Sequence, residues 1–313
     1  MGKTKPKYPA SFIANTSPPP MLGLYSASIA SRNAWLQAQG APRAVIGVEF
    51  IDIGTPNVKE RLQLFTNNGV VPFVNVMVGN LPLRCKSIQA INSGECDTVI
   101  AEFVSGFVRW GGKAFISPFP EMNGGWVPYG LQPAEYKAAY NRIRNAFIAR
   151  GVNQSHALFV FAPNGWSQPG HEFERYYPGD GVVDAVGFSF FSGGCAGGDK
   201  TTDELYQYLR RMRGMAQGKP IYLTQFGTST NKTHWMAKFM PYLADSGVAG
   251  VLFFDAQDAC DYRLDGVTGL GAACSKYTAA PKWDKIFAIQ HPWNNPRNRP
   301  HTTKISGTSG EQT

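Results

Sequence analysis

Eight short apolar segments alternate along this chain with segments of helical periodicity, and this alternation limits the possible folds more than any other feature. Short apolar runs bounded by turn residues are typical of buried β-strands. Strands that alternate with helices predict a parallel sheet, whose strands are buried on both faces and are therefore rich in Val, Ile and Phe. The predicted strands are Met21 to Tyr25, Ala44 to Ile53, Val71 to Val78, Lys113 to Phe119, Ala157 to Ala162, Val183 to Phe190, Pro220 to Gln225 and Gly250 to Asp255.

Helical periodicity fills most of the intervals between these strands. After the fifth strand, "HEFERYYPGD" predicts only a short helix, because Pro178 and Gly179 stop it. Eight parallel strands in such an order predict an α/β protein with a single-domain (β/α)8 TIM barrel. A doubly wound open sheet is the alternative, but no G-x-G-x-x-G turn follows the first strand. The predicted helices are Asn57 to Thr66, Asp97 to Trp110, Pro133 to Arg150, Thr202 to Met215 and Thr233 to Leu243.

Length and composition agree with one large domain. The chain has 313 residues, of which 43% are hydrophobic, so it can bury a sizeable core. We expect the barrel to span 20–290, after an N-terminal arm at 1–19. The segment 291–313 is rich in Pro, Asn, Gly, Ser and Thr, and we expect it to be a surface or disordered tail.

The net charge of +8 does not indicate a nucleic-acid partner, because the basic residues are dispersed and accompany no recognition motif. Stretches of eighteen or more apolar residues are absent from the sequence, so we expect no membrane span. The first residues, "MGKTKPKYPASF", include no apolar core of a signal peptide.

The five cysteines predict an extracellular protein with disulfides rather than a metal site. None of them forms a CxxC pair, the histidines show no i, i+4 pairing, and we expect no metal and no cofactor. The spacings Cys85 to Cys96 and Cys260 to Cys274 suit two loop-closing disulfides, which leaves Cys195 without a role. Three N-glycosylation triplets agree with secretion, although buried free thiols in a cytosolic protein stay the alternative. The triplets begin at Asn15, Asn153 and Asn231.

The ends of the predicted strands carry most of the residues that suggest chemistry. In a (β/α)8 barrel the active site lies at the carboxyl ends of the strands. Glu121 stands there among rigid prolines, glycines and flat aromatic rings, which favours a catalytic carboxylate over an ordinary surface one. Other candidates at these ends are Asn123, Trp126, Tyr129, Asn164, Trp166, Ser189, Phe191, Gln225, Phe254, Asp255 and Asp258.

Four blocks in this order carry a family resemblance. "PEMNGGWVPYG" resembles the acid/base motif of glycoside hydrolase family 26, and "FAPNGW", "YYPGDGVVDAVGFSFF" and "KPIYLTQFG" follow as they do in that family. The resemblance runs from about Ala44 to Asp255. It implies a retaining β-glycanase, most often a mannanase, that acts on a β-linked polysaccharide or oligosaccharide.

The resemblance also implies roles for particular residues. Glu121 would be the acid/base, and Gln225 stands where the family has its nucleophilic Glu. Retaining hydrolysis normally needs two carboxyl groups roughly 5 to 5.5 Å apart, and a carboxamide cannot supply the second. Phe191 replaces a tyrosine that hydrogen-bonds the nucleophile in the family, and Pro120 stands where many members have His.

Two hypotheses about function follow. The first is a family 26-type hydrolase, acting on mannan before other glycans, that is impaired by Gln225, whether the amide arose by design or by drift. The second is a lapsed extracellular enzyme, a pseudoenzyme that binds glycan or has a structural role. A replacement nucleophile, Asp255 or Asp258, is a further alternative, whereas Glu49 and Asp52 are expected to be structural partners. The expected sugar contacts are Asn123, Trp126, Tyr129, Asn164, Trp166, Phe191 and Asp255.

Overall fold

The computed structural model describes residues 18–79, 85–281 and 283–287, and it contains a closed barrel of eight parallel strands. The strands follow one another around the barrel in sequence order, and β1 closes it by pairing with β8. The predicted (β/α)8 fold is therefore confirmed. The strands are β1 (Met21–Ser26), β2 (Ile46–Asp52), β3 (Val71–Met77), β4 (Ala114–Pro118), β5 (Ala157–Phe161), β6 (Ala185–Ser192), β7 (Ile221–Thr228) and β8 (Gly250–Asp255).

Helices surround the barrel, and the five predicted ones are present within a few residues of their expected ends. The β5 to β6 connection contains only a 3₁₀ turn, Phe173–Tyr176, as the short helical signal there predicted. Within the described ranges, four further helices were not predicted, namely Ile29–Ala38, Ile88–Ser93, Leu270–Ala273 and Trp283–Phe287. The helices are α1 (Ile29–Ala38), α2 (Val58–Asn67), α3 (Ile88–Ser93), α4 (Asp97–Trp110), α5 (Pro133–Ala149), α6 (Thr202–Met215), α7 (Lys232–Asp245), α8 (Leu270–Ala273) and α9 (Trp283–Phe287).

Local sequence explains where the longer helices begin and which face they bury. A capping box starts α6, because the Thr201 hydroxyl accepts from the Glu204 amide while the Glu204 carboxylate accepts from the Thr201 amide. In α4 the buried residues Ile100, Phe103 and Phe107 recur at helical spacing and pack in the layer between helices and barrel.

A second apolar cluster fills the inside of the barrel and closes the end opposite the strands' carboxyl termini. Phe73, Phe115 and Leu252 are fully buried there. Phe287 of α9 packs against Phe115, near the start of β4, with ring centroids 5.5 Å apart. The barrel is therefore closed at its N-terminal end, and its other end is left for a cavity.

One of the two predicted disulfide pairings is present in the structure, and the other is not. The Cys85–Cys96 bond is confirmed, whereas the predicted Cys260–Cys274 pairing is wrong. Cys260 instead bonds Cys195, with Cα atoms 5.9 Å apart, and Cys274 is a buried free thiol. Strand order is the reason, since β6 and β8 flank β7 on its two sides and their loops come within reach of each other, although these cysteines are 65 residues apart in sequence.

Parts of the predicted domain organisation lie outside the described residues. These parts are the arm as far as residue 17, with the triplet at Asn15, and the whole tail 291–313. Across 18–79, 85–281 and 283–287, no helix combines the length and the apolar character that a membrane crossing needs.

Candidate functional site

The turn after β4 holds Glu121 at the C-terminal mouth of the barrel. Phe119 and Glu121 both have left-handed backbone conformations, with φ of 54° and 60°. Residues other than glycine rarely adopt this conformation. The Glu121 amide donates to the Ala162 carbonyl at 2.9 Å, and the Phe119 amide donates to the Val76 carbonyl at 2.8 Å. Hydrogen bonds to both neighbouring strands thus offset the strain, a pattern that is common at functional sites.

Tyr129 supports this turn from below. Its hydroxyl donates to the Pro120 carbonyl at 3.0 Å, and its ring packs against Phe119 with centroids 5.5 Å apart. The sequence predicts that Tyr129 stacks on a sugar; the residue borders the cavity but is completely buried, so this contact would require its ring to be uncovered. In the structure its contacts instead support the backbone of the Glu121 turn.

Three N–H donors surround the carboxylate of Glu121. The indole of Trp126 donates to Oε2 at 2.7 Å. The amides of Asn164 and Gln225 donate to Oε1 at 3.1 and 3.3 Å. These donors come from the β4 turn, the β5 end and β7, so the carboxylate is fixed in the middle of the mouth.

The surroundings of Glu121 favour its protonated form. Burial raises the pKa of its carboxyl group, and the negative charge of Asp258 adds to that rise. Hydrogen bonds from Ser189, Trp126 and Asn164 act in the opposite direction, but the net pKa is raised. A half-buried carboxyl group with a raised pKa is suited to donate a proton to a leaving group.

Gln225 lies opposite Glu121 and is buried in β7. Besides its bond to Glu121, its Nε2 donates to the Ser189 hydroxyl at 3.1 Å. Ser189 is the partner of Gln225 in the pairing of β6 with β7, next to an irregularity in the register. In this arrangement the nitrogen end of the Gln225 amide faces Glu121, whose Oε1 accepts the hydrogen bond.

Trp126 and Trp166 form an exposed aromatic pair on one side of Glu121. They are 51% and 46% exposed, and their rings stack with centroids 5.9 Å apart. Such exposure is unusual for tryptophan and suits contact with the apolar C–H face of a sugar. Asn164 both fixes this loop, by accepting from the Trp166 amide at 3.0 Å, and contacts Glu121.

A second aromatic cluster, the aromatic wall, consists of Phe191, Phe254 and Tyr262. Phe191 lies 5.5 Å from Phe254 and 4.8 Å from Tyr262 between ring centroids, and all three residues line the cavity. Tyr25 stacks on Phe254 at 5.0 Å. Tyr25 was not predicted as a site residue, although it ends the first predicted strand, and neither was Tyr262, which lies in a loop that no sequence pattern marks.

Asn123 is not on the cavity wall, contrary to the sequence-based expectation of a sugar contact. It is fully buried, and its Nδ2 donates to the carbonyls of Asn164 and Trp166 at 2.8 and 3.0 Å. Its Oδ1 accepts from the Asn164 amide at 2.8 Å. Asn123 therefore ties the loop after β5 to the Glu121 turn.

Asp255 is likewise structural rather than part of the cavity. It is buried, pairs with Arg32 Nε at 2.6 Å and accepts from the Leu264 amide at 2.7 Å. Asp258 is exposed and does line the cavity. As expected, Glu49 has a structural partner, Arg61.

These residues surround a cavity of about 780 Å³ at the mouth of the barrel. A cavity of this size accommodates several sugar units. Within the ranges that the structure describes, no three His, Cys, Asp or Glu side chains are grouped so that they could hold a metal ion. The chemistry available is a carboxyl group with a raised pKa at Glu121, a neutral amide beside it at Gln225, and the aromatic surfaces of the tryptophan pair and the aromatic wall.

Residues 114–216, which include the Glu121 turn and all of β6, match the sequence model of glycosyl hydrolase family 26. The predicted resemblance to family 26 is confirmed. Among curated proteins, Endoglucanase H of Acetivibrio thermocellus is 24% identical over 249 residues, which cover 69% of this chain and 26% of that protein. The chain thus spans about a quarter of the length of this relative.

Solved structures with the same fold include several mannanases. The Bacillus subtilis mannanase BCman matches with a TM-score of 0.59 and 18% identity, over 83% of this chain and 85% of that chain. A β-mannanase from a symbiotic protist of the termite Reticulitermes speratus, complexed with gluco-manno-oligosaccharide, matches with a TM-score of 0.59 and 16% identity, over 85% and 88%. An endo-β-1,4-mannanase of Cellulomonas fimi, a double mutant, matches with a TM-score of 0.62 and 18% identity, over 84% and 71%. At these identities the likeness establishes the fold.

Proposed function

We propose that this chain binds a β-linked polysaccharide or oligosaccharide across the cavity, with Glu121 at the scissile linkage as acid/base. The observation that carries the proposal is the 3.3 Å contact between the Gln225 amide and the Glu121 carboxylate. The family resemblance assigns the nucleophile to position 225. That contact means that one glycosidic linkage is within reach of both side chains.

Hydrolysis by double displacement is impaired in this chain, since the amide of Gln225 is a poor nucleophile. Binding does not need the missing charge, because Gln is nearly isosteric with Glu. Mannan is the first candidate ligand, as the structural neighbours include mannanases, and β-glucan is the second, as the curated relative is named an endoglucanase.

The distribution of aromatic residues supports binding along a chain rather than at its end. The pair Trp126 and Trp166 lies on one side of Glu121, and the aromatic wall also borders the cavity. Sugar rings on both sides of the scissile linkage would therefore find apolar surfaces. The two disulfides support an extracellular location, where such polysaccharides occur.

A lapsed enzyme that only binds glycan is the second candidate. Phe191 favours it, because its ring packs on Phe254 and Tyr262 and carries no hydroxyl that could hold a carboxylate at position 225. Loss of that hydroxyl together with the nucleophilic charge fits the decay of one interacting pair.

Gln225→Glu separates these candidates. We expect reducing-sugar release from mannan, mixed-linkage glucan or 1,3-xylan to rise by about 10²-fold or more, because the substitution supplies the second carboxylate. Gln207→Glu, an isosteric change on the exposed face of α6, is the matched control and leaves the rate unchanged. Equal hydrolysis of these glycans by the unaltered chain would contradict the account of Gln225. Retained binding with no turnover, even after Phe191→Tyr is added, would establish the second candidate.

A further inference from the structure

We propose that the chain, with Gln225 in place, hydrolyses 2-acetamido-2-deoxy-β-glycosides with the substrate's own acetamido oxygen as the nucleophile. This inference rests on the proposed glycan site at Glu121 and specifies its substrate class. In this reaction Gln225 has a role of its own, because it orients the acetamido group of the substrate.

Participation by the substrate removes the need for a second carboxylate. Glycosidases that use it are recognised exceptions to the two-carboxylate rule, and they take from the protein one acid/base and a group that orients the amide of the sugar. Glu121 is suitably placed to be the acid/base. Hydrogen-bond donors from the β4 turn, the β5 end and β7 hold its two carboxylate oxygens in position.

The orientation of the Gln225 amide suits this role. Among the described residues, both of its hydrogen bonds leave from Nε2, to Glu121 at 3.3 Å and to the Ser189 hydroxyl at 3.1 Å. Its Oε1 is then the end that can accept from a ligand. If the N–H of the sugar's acetamido group donates to Gln225 Oε1, the carbonyl oxygen of the same acetamido group is free to turn toward the anomeric carbon. A glutamate at this position would itself attack that carbon.

The surface next to Gln225 suits the acetyl methyl group. The pair Phe191 and Gly227 follows the pair Ser189 and Gln225 toward the mouth, two residues further along β6 and β7. A Cβ added at Gly227 would lie 3.3 Å from the Tyr262 ring, so the ring closes over the backbone there. The mouth beside Gln225 is therefore apolar, and a phenylalanine at 191 offers a methyl group better contact than a hydroxyl would.

The reaction balances without another reactant. Glu121 gives its proton to the glycosidic oxygen, and the bond from the anomeric carbon to that oxygen breaks with its electron pair leaving on the departing sugar. The acetamido carbonyl oxygen forms a bond to the anomeric carbon, which produces a cyclic oxazolinium ion while the N–H proton stays on nitrogen. Glu121 then takes a proton from water, whose oxygen attacks the anomeric carbon and expels the carbonyl oxygen. The product is the β-anomer, and Glu121 is protonated again.

Three β-1,4-linked hexasaccharides test this inference because they differ only at carbon 2. They are the hexamers of N-acetylglucosamine, of glucosamine and of glucose. We expect the unaltered chain to cleave the N-acetylated hexamer at least 10²-fold faster than the other two. Proton NMR of the fresh product should show the β-anomer. Calorimetry should show that the thiazoline analogue of N-acetylglucosamine, which resembles the oxazolinium ion, binds at least tenfold more tightly than N-acetylglucosamine.

Variants assign the effect to Gln225. Gln225→Leu keeps the approximate size without the amide, and we expect it to lower cleavage of the N-acetylated hexamer and thiazoline affinity by at least tenfold. Gln207→Leu on the exposed face of α6 should change neither. The thiazoline measurement on the unaltered chain keeps the test decisive if Gln225→Leu does not fold.

Three results would overturn the inference. Binding of mannohexaose or the glucose hexamer, with neither cleavage of the N-acetylated hexamer nor thiazoline binding, would refute it and leave the proposed glycan site standing. An α-anomeric product would refute participation by the substrate. If no glycan binds at all, both this inference and the proposed function fail.

Discussion

The side-chain amide of Gln225 donates a hydrogen bond to the carboxylate of Glu121 across 3.3 Å at the mouth of the barrel. The two residues are 104 positions apart in sequence and come from β7 and from the turn after β4. Glu121, whose carboxyl group has a raised pKa, thus has a neutral partner in Gln225.

A second carboxylate at position 225 should raise the pKa of Glu121 further. In Gln225→Glu the donated hydrogen bond, which favours the ionised form, is replaced by a nearby negative charge, which disfavours it. A carbon-13 NMR titration of labelled carboxyl groups measures this pKa. Gln207→Glu should leave the value unchanged, and an unchanged value in Gln225→Glu would mean that the two side chains do not face each other in solution.

Trp126→Phe should also raise the pKa of Glu121, by a different route. The substitution removes the indole donor that lies 2.7 Å from Oε2 and keeps an aromatic ring. Loss of a hydrogen bond to the ionised form raises a carboxyl pKa. Trp166→Phe is the matched control, since Glu121 receives no hydrogen bond from the Trp166 indole within the described part of the chain. A lower pKa in Trp126→Phe would contradict the geometry.

Asp255→Asn should affect the stability of the protein, whereas Asp258→Asn should affect the pKa of Glu121. Asp255 is buried against Arg32, so removing its charge should lower the free energy of unfolding by about 2 to 4 kcal/mol, as measured by urea denaturation. Asp258 is exposed at the cavity, so its substitution should leave stability within about 0.5 kcal/mol. It should lower the pKa of Glu121, because it removes a negative charge that raises it. A stable Asp255→Asn variant with altered glycan affinity would place Asp255 in the site.

Alkylation without reductant should label one cysteine, Cys274, and only after unfolding. Burial raises the pKa of the Cys274 thiol to about 12, and the other four cysteines are in disulfides. The native protein should therefore not react. Peptide mapping by mass spectrometry identifies the labelled residue, and label on Cys195 instead would restore the pairing of Cys260 with Cys274.

Much of the fold was predictable because barrel strands are buried on both faces and therefore appear in the sequence as short, continuous apolar runs. Each of the eight predicted strands overlaps an observed one, and Asp97–Trp110 and Thr202–Met215 match the predicted helices at both ends. The missed helix α1 shows the limit of periodicity, because its two buried residues are Asn33 and Leu36, which give no apolar stripe.

Within the site, sequence identified the residues at strand ends but not the direction of their side chains. Asn123 and Asp255 have residue types that suit sugar recognition, yet each turns into the protein to satisfy buried partners. The Cys195–Cys260 bond depends on β6 and β8 flanking the same strand, β7, whereas spacing along the chain favours the shorter and incorrect loop. Tyr262 reaches the cavity through that same loop packing.

The bond between Cys195 and Cys260 crosses above β7, which carries Gln225, and Cys195 itself borders the cavity. A covalent strap of fixed length prevents the two loops from parting when a bulky ligand arrives. We therefore expect branches on a bound polysaccharide to be accommodated less well at that rim than beside the two exposed tryptophans. Debranching a heavily substituted polymer should then improve its binding more than lengthening it does.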